Sequence, residues 1–519
     1  MTLGKKEKIT VTLYDEEIGQ MSEEAGRYFF QYDPSYEHHP ISLSLPIHPS
    51  KNQKKKFKAL YSGNLPHYFS NLLPEGWLLS KAKELGGYET SSLQMLHNFC
   101  QDSIGAVSFK IAGKSPPRLD PIISEHNIEI KTDRIHCFMC GARIPKGFNG
   151  GFHESCSMQL FDSPKPFQIA LDNNKLSELA KAQLLRGQTI TGAQVKLSLL
   201  LQDLAKTIVE KKLSYIIKPQ MSDGDFSDLP QMEHITMRFA DRLGLDAAIS
   251  AVIQTIGGRN AFITKRFDRT KTGKIHVEDM AQATATSKGD HDLNYNGSYE
   301  LIGKLFKDNE YTTSKENKES KTRLLNSLIF NYLVGNTDAH LKNHSIIWNR
   351  ERQTYKLSPF YDLVPNKLYC NDKHHIGIKL KGKNLISRSA LLEYAESLDL
   401  KASKVDDFLY RFKSERTWYM EQLHIFGIKH HRIERMMSII GHSIRLLNEK
   451  EGIMPPKSGR QAPSNDRDDL RRLSTEKPQS FSLCQRKPCS NPGGAMRLRG
   501  DRKKYGVCSK CEPDKKKLF

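Results

Sequence analysis

The sequence predicts an α+β protein made of a small β-rich amino-terminal module and a larger domain of mixed helices and strands. Apolar alternation interrupted by turn residues runs through residues 1 to about 113, which is typical of short strands. Across 174–450 the pattern changes from strands in the first half to long helical periodicities in the second. Between these regions the stretch KSPPRLDP, at 114–121, is typical of a linker.

Length and composition indicate a cytoplasmic protein rather than a membrane or secreted one. The 519 residues have room for about two to four compact domains. No run reaches the roughly 18 apolar residues of a membrane span, and the start, MTLGKKEKITVTLYD, lacks the apolar core of a signal peptide. Because disulfides need an oxidising compartment, the close pairing of six of the nine cysteines favours metal binding.

The elements of the amino-terminal module follow from its residue patterns. Strands are predicted in KITVTLYDEEIGQMSEEAGRYFFQYD and in ISLSLPI. LPHYFSNLLPEGWLLSKAKEL is predicted to be helical, with Pro74 and Glu75 opening its periodic part. IGAVSFKI is predicted to be a further strand, and residues 114–173 are a linker that carries a Cys/His cluster at 137–156.

The larger domain divides into a front half at about 174–285 and a back half at about 286–450. The front half has four predicted strands, SYIIKPQ, ISAVIQT, NAFITKRFD and KIHVEDM, and the helix LPQMEHITMRFADRLGL. The back half begins with the helix TRLLNSLIFNYLVG and contains a hairpin in which the turn NRERQT joins SIIW to YKLSPF.

The tail, 451–519, carries 17 Lys and Arg residues against 8 Asp and Glu residues. Its first part, 451–483, is rich in Pro, Ser, Arg and Asp, which predicts that the tail is mostly disordered. A basic tail attracts any polyanion, so nucleic acid is one partner that this charge favours without giving specificity.

The strongest local signal is the loop NTDAHLKN at 336–343, which follows an apolar helix. Protein kinases use the same D-x-x-x-x-N spacing in their catalytic loop, so Asp338 is the candidate proton acceptor and Asn343 the candidate Mg²⁺ ligand. Lys342 between them could neutralise charge on a transferred phosphoryl group. Taken alone, the segment also fits an ordinary polar surface loop.

Two further signals fit the same chemistry. Asp362, preceded by Tyr361, follows the predicted hairpin, where kinases place a second metal-binding aspartate. Lys218 in SYIIKPQ has the position of a strand lysine that holds ATP phosphates, and Glu233 on the next helix is its candidate partner. An ordinary solvated helix acid is an equally good interpretation of Glu233.

The remaining nucleotide contacts are less well marked. IHVEDM leads from a strand towards a helix, where a kinase has the hinge that binds adenine, so Glu278 and Met280 are hinge candidates. The chain has no G-x-G-x-x-G and no Walker A sequence, and the best substitute for a phosphate loop is TITGAQVK at 189–196.

These segments, in this order, resemble the HipA family of bacterial serine/threonine kinases from toxin–antitoxin systems. The resemblance is carried by TITGAQVKLSLL, YIIKPQ, HITMRFADRLGL, KRFDR, IHVEDMAQAT, LIFNYLVGNTDAHLKNHSI and LSPFYDLVP, with FSNLLPEGWLL and DSIGAVSF in the amino-terminal module. It covers roughly residues 5 to 445 and implies a bilobed protein-kinase-like core with ATP and Mg²⁺. It assigns Asp338 as catalytic base and Asn343 and Asp362 as Mg²⁺ ligands. It implies ATP contacts from Ala193, Gln194, Val195, Lys196, Leu197, Ser198, Lys218, Glu278, Asp279, Met280, His340, Lys342 and Tyr361.

The family resemblance also implies regulation and partners. A family serine just before Gly-Ala-Gln is autophosphorylated and inactivates the kinase; Thr191 stands there in this chain, with Thr189 nearby. Family members are neutralised by a small helix-turn-helix antitoxin of the HipB type, and their substrates include aminoacyl-tRNA synthetases. DNA contact is expected only through the antitoxin complex or the basic tail.

Two cysteine clusters have metal-ligand spacing. Cys137, Cys140, His153 and Cys156 form two close pairs, which predicts a closed, structural Zn²⁺ site that joins the amino-terminal module to the larger domain. Cys484, Cys489, Cys508 and Cys511 are either a second zinc site or four solvated thiols. For the first cluster, a set of thiols without metal is the alternative.

Two other function classes fit the same core. One is a scaffold without kinase activity that docks an antitoxin or DNA, although the intact Lys218, Asp338, Asn343 and Asp362 disfavour it. The other is a lipid or small-molecule kinase, because these residues do not report which hydroxyl group attacks.

Overall fold

The computed structural model describes most of the chain between residues 8 and 448. The described residues are 8–24, 26–47, 65–86, 91–111, 135–145, 150–164, 166, 176–185, 196–201, 213–220, 224, 226–255, 258–285, 295, 297–307, 313–370 and 375–448. Predictions that fall outside them concern Thr189, Thr191, Ala193, Gln194, Val195, Cys484, Cys489, Cys508 and Cys511.

The amino-terminal module is an antiparallel sheet with three short helices. The strand order is β3-β2-β1-β4, and the strands are β1 (Lys8–Leu13), β2 (Glu16–Glu24), β3 (Arg27–Tyr32) and β4 (Val107–Lys110). The helices are α1 (His67–Ser70), α2 (Gly76–Gly86) and α3 (Ser92–Phe99). Ile9, Val11 and Leu13 of β1 are buried. Side chains two residues apart on a strand point to the same face, so these three share the face of β1 that packs on the core.

The predicted strand ISLSLPI is wrong. Residues 41–47 are irregular, because their backbone amides donate to side chains and turns rather than to a neighbouring strand. The amide of Ile41 donates to the Tyr32 hydroxyl at 3.0 Å, and that of Leu43 donates to the Glu278 carboxylate at 3.1 Å. Apolar alternation alone could not distinguish this docked segment from a strand.

The front half of the larger domain has a four-stranded antiparallel sheet of order β5-β6-β8-β7. Its elements, with the two helices that precede it, are α4 (Glu154–Phe161), α5 (Leu176–Leu185), β5 (Leu197–Leu201), β6 (Leu213–Pro219), α6 (Leu229–Arg242), β7 (Ser250–Gln254), β8 (Asn260–Lys265), β9 (Arg269–Thr270), β10 (Gly273–Lys274) and β11 (Val277–Asp279). Each predicted strand of this half is present. By packing, α5 groups with α2 and α3, since Ala180 and Leu184 are buried against Leu78 and Met95.

The back half is mainly helical, as predicted. Its elements are α7 (Met280–Ala283), α8 (Tyr299–Leu305), α9 (Ser314–Val334), β12 (Ser345–Asn349), β13 (Thr354–Leu357), α10 (Arg388–Ser397), α11 (Ser403–Ile425) and α12 (His430–Asn448), with 3₁₀ turns at Leu341–Asn343 and Asn366–Leu368. The β12–β13 hairpin pairs with β11 in the order β11-β12-β13. Helix α9 is the centre of the core, since Leu325 and Ile329 are fully buried. These halves form the predicted α+β, bilobed architecture.

A buried charge network joins the amino-terminal module to the front half. Arg269 lies 2.6 Å from the carboxylate of Asp102, and Asp268 accepts a hydrogen bond from the Gly105 amide at 2.9 Å. Arg266, which pairs with Asp268 at 2.7 Å, also donates to the Ser103 carbonyl. Buried charges are tolerated where each has such a partner.

Among the described helices, none is long and apolar enough to cross a membrane.

Candidate active site

The Asp338 loop, residues 336–343, leaves the end of α9 through a glycine turn. Gly335 caps the helix with φ +73°, a conformation that glycine adopts without strain. The side chain of Asn336 then donates to Asn331 at 3.0 Å and accepts the Asp338 amide at 3.2 Å. The loop is therefore built on the rigid end of a buried helix, which makes the position of Asp338 well defined.

The far end of the loop is held by Asn343. Its side-chain nitrogen donates to the Asp338 carbonyl at 3.2 Å, which leaves its side-chain oxygen as the atom able to bind a cation. The loop also packs tightly against Gly377, since a Cβ added to that glycine would lie 2.7 Å from the Ala339 backbone. Glycine at this position therefore allows the close approach that fixes the loop from outside.

Asp362 lies beside this loop because two hydrogen bonds hold its segment there. The hydroxyl of Tyr361 donates to the Lys342 carbonyl at 2.8 Å, and the Asn366 side chain accepts the Thr337 amide at 2.7 Å. Asp362 itself has φ +58°, a left-handed conformation that aspartate tolerates better than most residues. The structure thus brings the predicted residues 338, 343 and 362 into one region.

Two lysines and two carboxylates, which alternate in charge, form a chain of ion pairs that includes Asp362. The Lys218 ammonium, on β6, lies 2.6 Å from Glu233 on α6 and 2.5 Å from Asp362. Lys196, at the start of β5, lies 3.2 Å from the other oxygen of Asp362. Glu233 is almost completely buried, so its interpretation as a solvated surface acid is wrong.

The charges of this cluster are coupled. Burial by itself raises the pKa of Asp362, but Lys196 and Lys218 outweigh it and hold this pKa well below its usual range. Burial by itself lowers the pKa of Lys218, but Asp362 and Glu233 raise it above its ordinary value. Burial raises the pKa of Glu233 to about 7, although Lys218 opposes the shift. The pairing therefore favours the charged forms of both Asp362 and Lys218.

The donor set around Asp338 suits a hard cation. The Asp362 carboxylate and the side-chain oxygen of Asn343 are the kinds of ligand that Mg²⁺ prefers. The hydroxyl of Tyr295 donates to the Asp338 carboxylate, and its ring lies 5.4 Å from that of His340. A hydroxyl group can therefore reach Asp338 in this fold, as an attacking substrate hydroxyl must.

Sequence reasoning missed Glu75 and Tyr295. Glu75, just before α2, lies 2.8 Å from the Lys342 ammonium, although the two residues are 267 positions apart. The sequence marks Pro74 and Glu75 only as the opening of a helix, and residue spacing gives no signal for such a distant contact.

Of the predicted hinge residues, Glu278 is held by the amino-terminal module, and Asp279 and Met280 are held within the larger domain. Glu278 is fully buried, and its carboxyl group bonds the Ser42 hydroxyl and the Leu43 amide. Asp279 caps α7 through the Gln282 amide at 2.8 Å, and the Met280 amide donates to the His344 carbonyl at 2.9 Å. The adenine-binding role of this segment stays a prediction.

The Glu278 environment predicts a pH-dependent stability. Burial raises the pKa of Glu278 to about 8, above its unfolded value of 4.5. The contribution of Glu278 to stability is therefore complete below pH 4.5 and is lost as the pH rises through 8, at most at about 1.4 kcal/mol per pH unit. The Glu278→Gln side chain is uncharged, like a protonated glutamate. The unfolding free energy of this variant should therefore fall less than that of the wild type as the pH approaches 8. Urea unfolding between pH 4.5 and 8 measures the free energy of unfolding of each protein, and Glu17→Gln, a change at an exposed glutamate, is the control. If the unfolding free energy falls equally with pH in the wild type and in Glu278→Gln, the prediction is wrong.

The four residues of the first Cys/His cluster come together. The ligand atoms of Cys137, Cys140, His153 and Cys156 all lie within 4.8 Å of one another. Nδ1 of His153 is 3.2 Å from the sulfur of Cys140 and 4.0 Å from that of Cys156. Its Nε2 lies 3.0 Å from the Arg143 carbonyl, and because a carbonyl oxygen can only accept a hydrogen bond, Nε2 carries the hydrogen. This contact fixes the tautomer that presents the Nδ1 lone pair to the sulfurs, as zinc ligation requires.

The Cys/His cluster packs on both halves of the larger domain. The Phe138 carbonyl accepts the Val252 amide of β7 at 3.1 Å, and the Met139 carbonyl accepts His234 of α6 at 2.9 Å. An added Cβ on Gly141 would lie 2.3 Å from the Gln422 side chain of α11. These contacts connect the cluster to α6, β7 and α11 of the larger domain. The predicted link to the amino-terminal module stays a prediction.

Two family profiles match the chain. The one described as HipA-like C-terminal domain matches residues 188–418, and the one described as HipA N-terminal domain matches residues 9–110. Together they include the amino-terminal module, the Lys218–Glu233–Asp362 cluster and the Asp338 loop.

Named relatives carry kinase descriptions. A Haemophilus influenzae protein named "Putative kinase" is 33% identical over 201 residues, 36% of this chain and 54% of the relative. "Putative kinase Y4dM" of Sinorhizobium fredii is 26% identical over 425 residues, 77% of this chain and 88% of the relative. "Serine/threonine-protein kinase toxin HipA" of Shewanella oneidensis is 26% identical over 201 residues, 35% of this chain and 44% of the relative.

A solved structure has the same fold. It is the Shewanella oneidensis toxin–antitoxin complex of HipA, HipB and operator DNA, and its matched chain superposes with a TM-score of 0.57. The match covers 85% of this chain and 97% of that chain at 18% identity, which confirms the fold prediction.

Proposed function

Because the chain belongs to the HipA family, we propose that it is an ATP-dependent kinase that phosphorylates serine or threonine in a protein. The observation that carries the proposal is the Lys218 ammonium, which bonds Glu233 and Asp362 at once. A strand lysine, a helix glutamate and an aspartate after a hairpin are the parts with which protein kinases hold nucleotide phosphates and metal.

Each side chain has one role in this proposal. Asp338 orients the attacking hydroxyl and accepts its proton, while the new bond to the γ-phosphorus forms and the bond to the ADP oxygen breaks. Lys218 holds the phosphates, and Asn343 and Asp362 hold Mg²⁺, which neutralises phosphate charge when bound. Lys342 offsets charge on the transferred group. Positioning and electrostatics supply most of the rate, since phosphoryl transfer needs little covalent help from protein.

Other nucleotide contacts belong to the same proposal. The nucleotide would lie between residues 193–198, of which Leu197 and Ser198 begin β5, the hinge residues Glu278–Met280 and the side chains of His340 and Tyr361. Autophosphorylation at Thr191 would act as self-inactivation.

We also propose that the Cys/His cluster binds one structural Zn²⁺. Its donor set of three sulfurs and one oriented imidazole supports a closed tetrahedral site. Zn²⁺ supplies crosslinking there, and no residue of the cluster would take part in phosphoryl transfer.

The partner proposal rests on likeness. Since the Shewanella oneidensis structure contains HipB and operator DNA, we expect a HipB-like helix-turn-helix antitoxin as partner. DNA would be reached through that complex or through the basic tail. Aminoacyl-tRNA synthetases, which the family resemblance implies, are the first substrates to test.

The test is incubation of the purified chain with Mg²⁺ and γ-labelled ATP, with and without a cell extract, followed by mass spectrometry of phosphopeptides. The proposal predicts label on serine or threonine of the chain itself or of extract proteins. Label found only in lipids or small molecules would favour the small-molecule kinase. Absence of any ATP-dependent label would favour the scaffold.

A further inference from the structure

The amino-terminal module places a carboxylate inside the candidate active site. Glu75 lies 2.8 Å from the ammonium of Lys342, and the side chains retain only 20% and 6% of their exposure. Lys342 belongs to the 3₁₀ turn Leu341–Asn343 and follows Asp338 by four residues. A group that fixes the Lys342 side chain therefore acts close to the candidate catalytic carboxylate.

The Glu75–Lys342 pair lies among contacts between the amino-terminal module and α7 of the larger domain. Beside it, the Gln282 side chain of α7 donates to the Tyr68 carbonyl of α1 at 3.0 Å. Asp279 is close enough for Lys342 to lower its pKa and for Glu75 to raise it, although burial has the largest effect and raises this pKa to about 6. The Lys342 ammonium is therefore paired with Glu75 of the module, while Asp279 of the larger domain acts on it only through its charge.

We propose that Glu75 is a positioning residue for phosphoryl transfer, which acts by holding the Lys342 ammonium where the transferred group gains charge. This inference rests on the proposed kinase function. A lysine side chain has four rotatable bonds, and a fixed partner removes the need to order it in the transition state. It follows that the amino-terminal module completes the active site.

Glu75→Gln tests the inference, because it keeps the size of the side chain and removes its charge. We expect kcat to fall by at least about 10-fold, with the KM for ATP changed by less than about 3-fold, since Lys218 and Asp362 hold the nucleotide. Glu75→Gln combined with Lys342→Met should lose no more kcat than Lys342→Met alone, because both changes remove one interaction. Glu84→Gln is the matched control, since Glu84 of α2 pairs with Lys81 of the same helix at 2.7 Å and with Lys181 of α5 at 2.9 Å.

The outcomes separate this inference from the proposed function. An active wild type with unchanged kcat in Glu75→Gln, or with additive losses in the double variant, overturns the inference alone. A wild type that transfers no phosphate overturns both. If Glu75→Gln does not fold, Glu75→Asp keeps the charge on a shorter stem and should lower kcat at least about 3-fold at wild-type Tm. Wild-type kcat in Glu75→Asp would then overturn the inference.

Discussion

Replacement of Asp338 by Asn is expected to lower the rate of phosphoryl transfer by about 10²- to 10⁴-fold. The amide has the size of the carboxylate and can still accept a hydrogen bond, but it cannot take the proton of the attacking hydroxyl. ATP affinity should change little, because in the proposed site Lys218 and Asp362 would contact the nucleotide and its metal. Initial rates with γ-labelled ATP and calorimetric titration with the nucleotide measure the two effects separately.

Asp407→Asn is the matched control for this variant. Asp407 lies on α11 with 58% of its side chain exposed and a partner, Lys404, at 3.8 Å. The control should keep the wild-type rate, since it makes the same atomic change away from the site. A wild-type rate in Asp338→Asn would mean that another group accepts the proton.

Cys140→Ser should remove one zinc ion per chain and lower Tm by about 10 °C, because a structural zinc site contributes several kcal/mol to folding. The hydrogen bond from Cys140, together with the Cys140 and Met139 amides, lowers the pKa of Cys137 to about 4 against the effect of burial. The hydrogen bond to Cys137 raises the pKa of Cys140, and burial raises that of Cys156, so the case for a cation rests on the four ligand atoms that lie within 4.8 Å of one another. Elemental analysis and calorimetry measure the two changes.

The difference in zinc content between wild type and variant is the useful quantity, because it does not depend on zinc held by the tail. Cys370→Ser is the matched control, since Cys370 is a buried thiol outside the cluster. It should keep the wild-type zinc content whatever it does to Tm. Equal zinc content in wild type and Cys140→Ser would contradict the zinc proposal.

Loss of this zinc should also lower kinase activity. The Met139 carbonyl, within the cluster, holds His234, and Glu233 beside it holds Lys218. A shift of α6 would therefore move Lys218, the proposed phosphate-binding lysine, and the rate of transfer from γ-labelled ATP measures the effect.

The sequence indicated the central residues of the site because their signals are local. The spacing from Asp338 to Asn343 lies within one loop, and Asp362 follows a hairpin whose turn residues mark it. Lys218 lies in a buried strand, where a lysine is unusual and calls for a partner. Such features depend on short stretches of chain, so one sequence is enough to suggest them.

The contacts of the amino-terminal module could not be found in this way. Glu75 reaches Lys342 across 267 positions, and Ser42 reaches Glu278 across 236. Pairings of this kind depend on how two folded units dock, which neither periodicity nor composition records. For the same reason, the alternation in 41–47 predicts a strand, whereas these residues form a docked, irregular segment.

A crystal structure with Mn²⁺ and a non-hydrolysable ATP analogue tests the central claim most directly, namely that Lys218, Asp338, Asn343 and Asp362 serve one nucleotide. We predict an anomalous Mn²⁺ peak about 2.2 Å from the side-chain oxygens of Asn343 and Asp362, with Lys218 on the phosphates and Asp338 facing the γ-phosphorus. An analogue bound elsewhere, or a metal that leaves Asp362 paired only with lysines, would contradict the account.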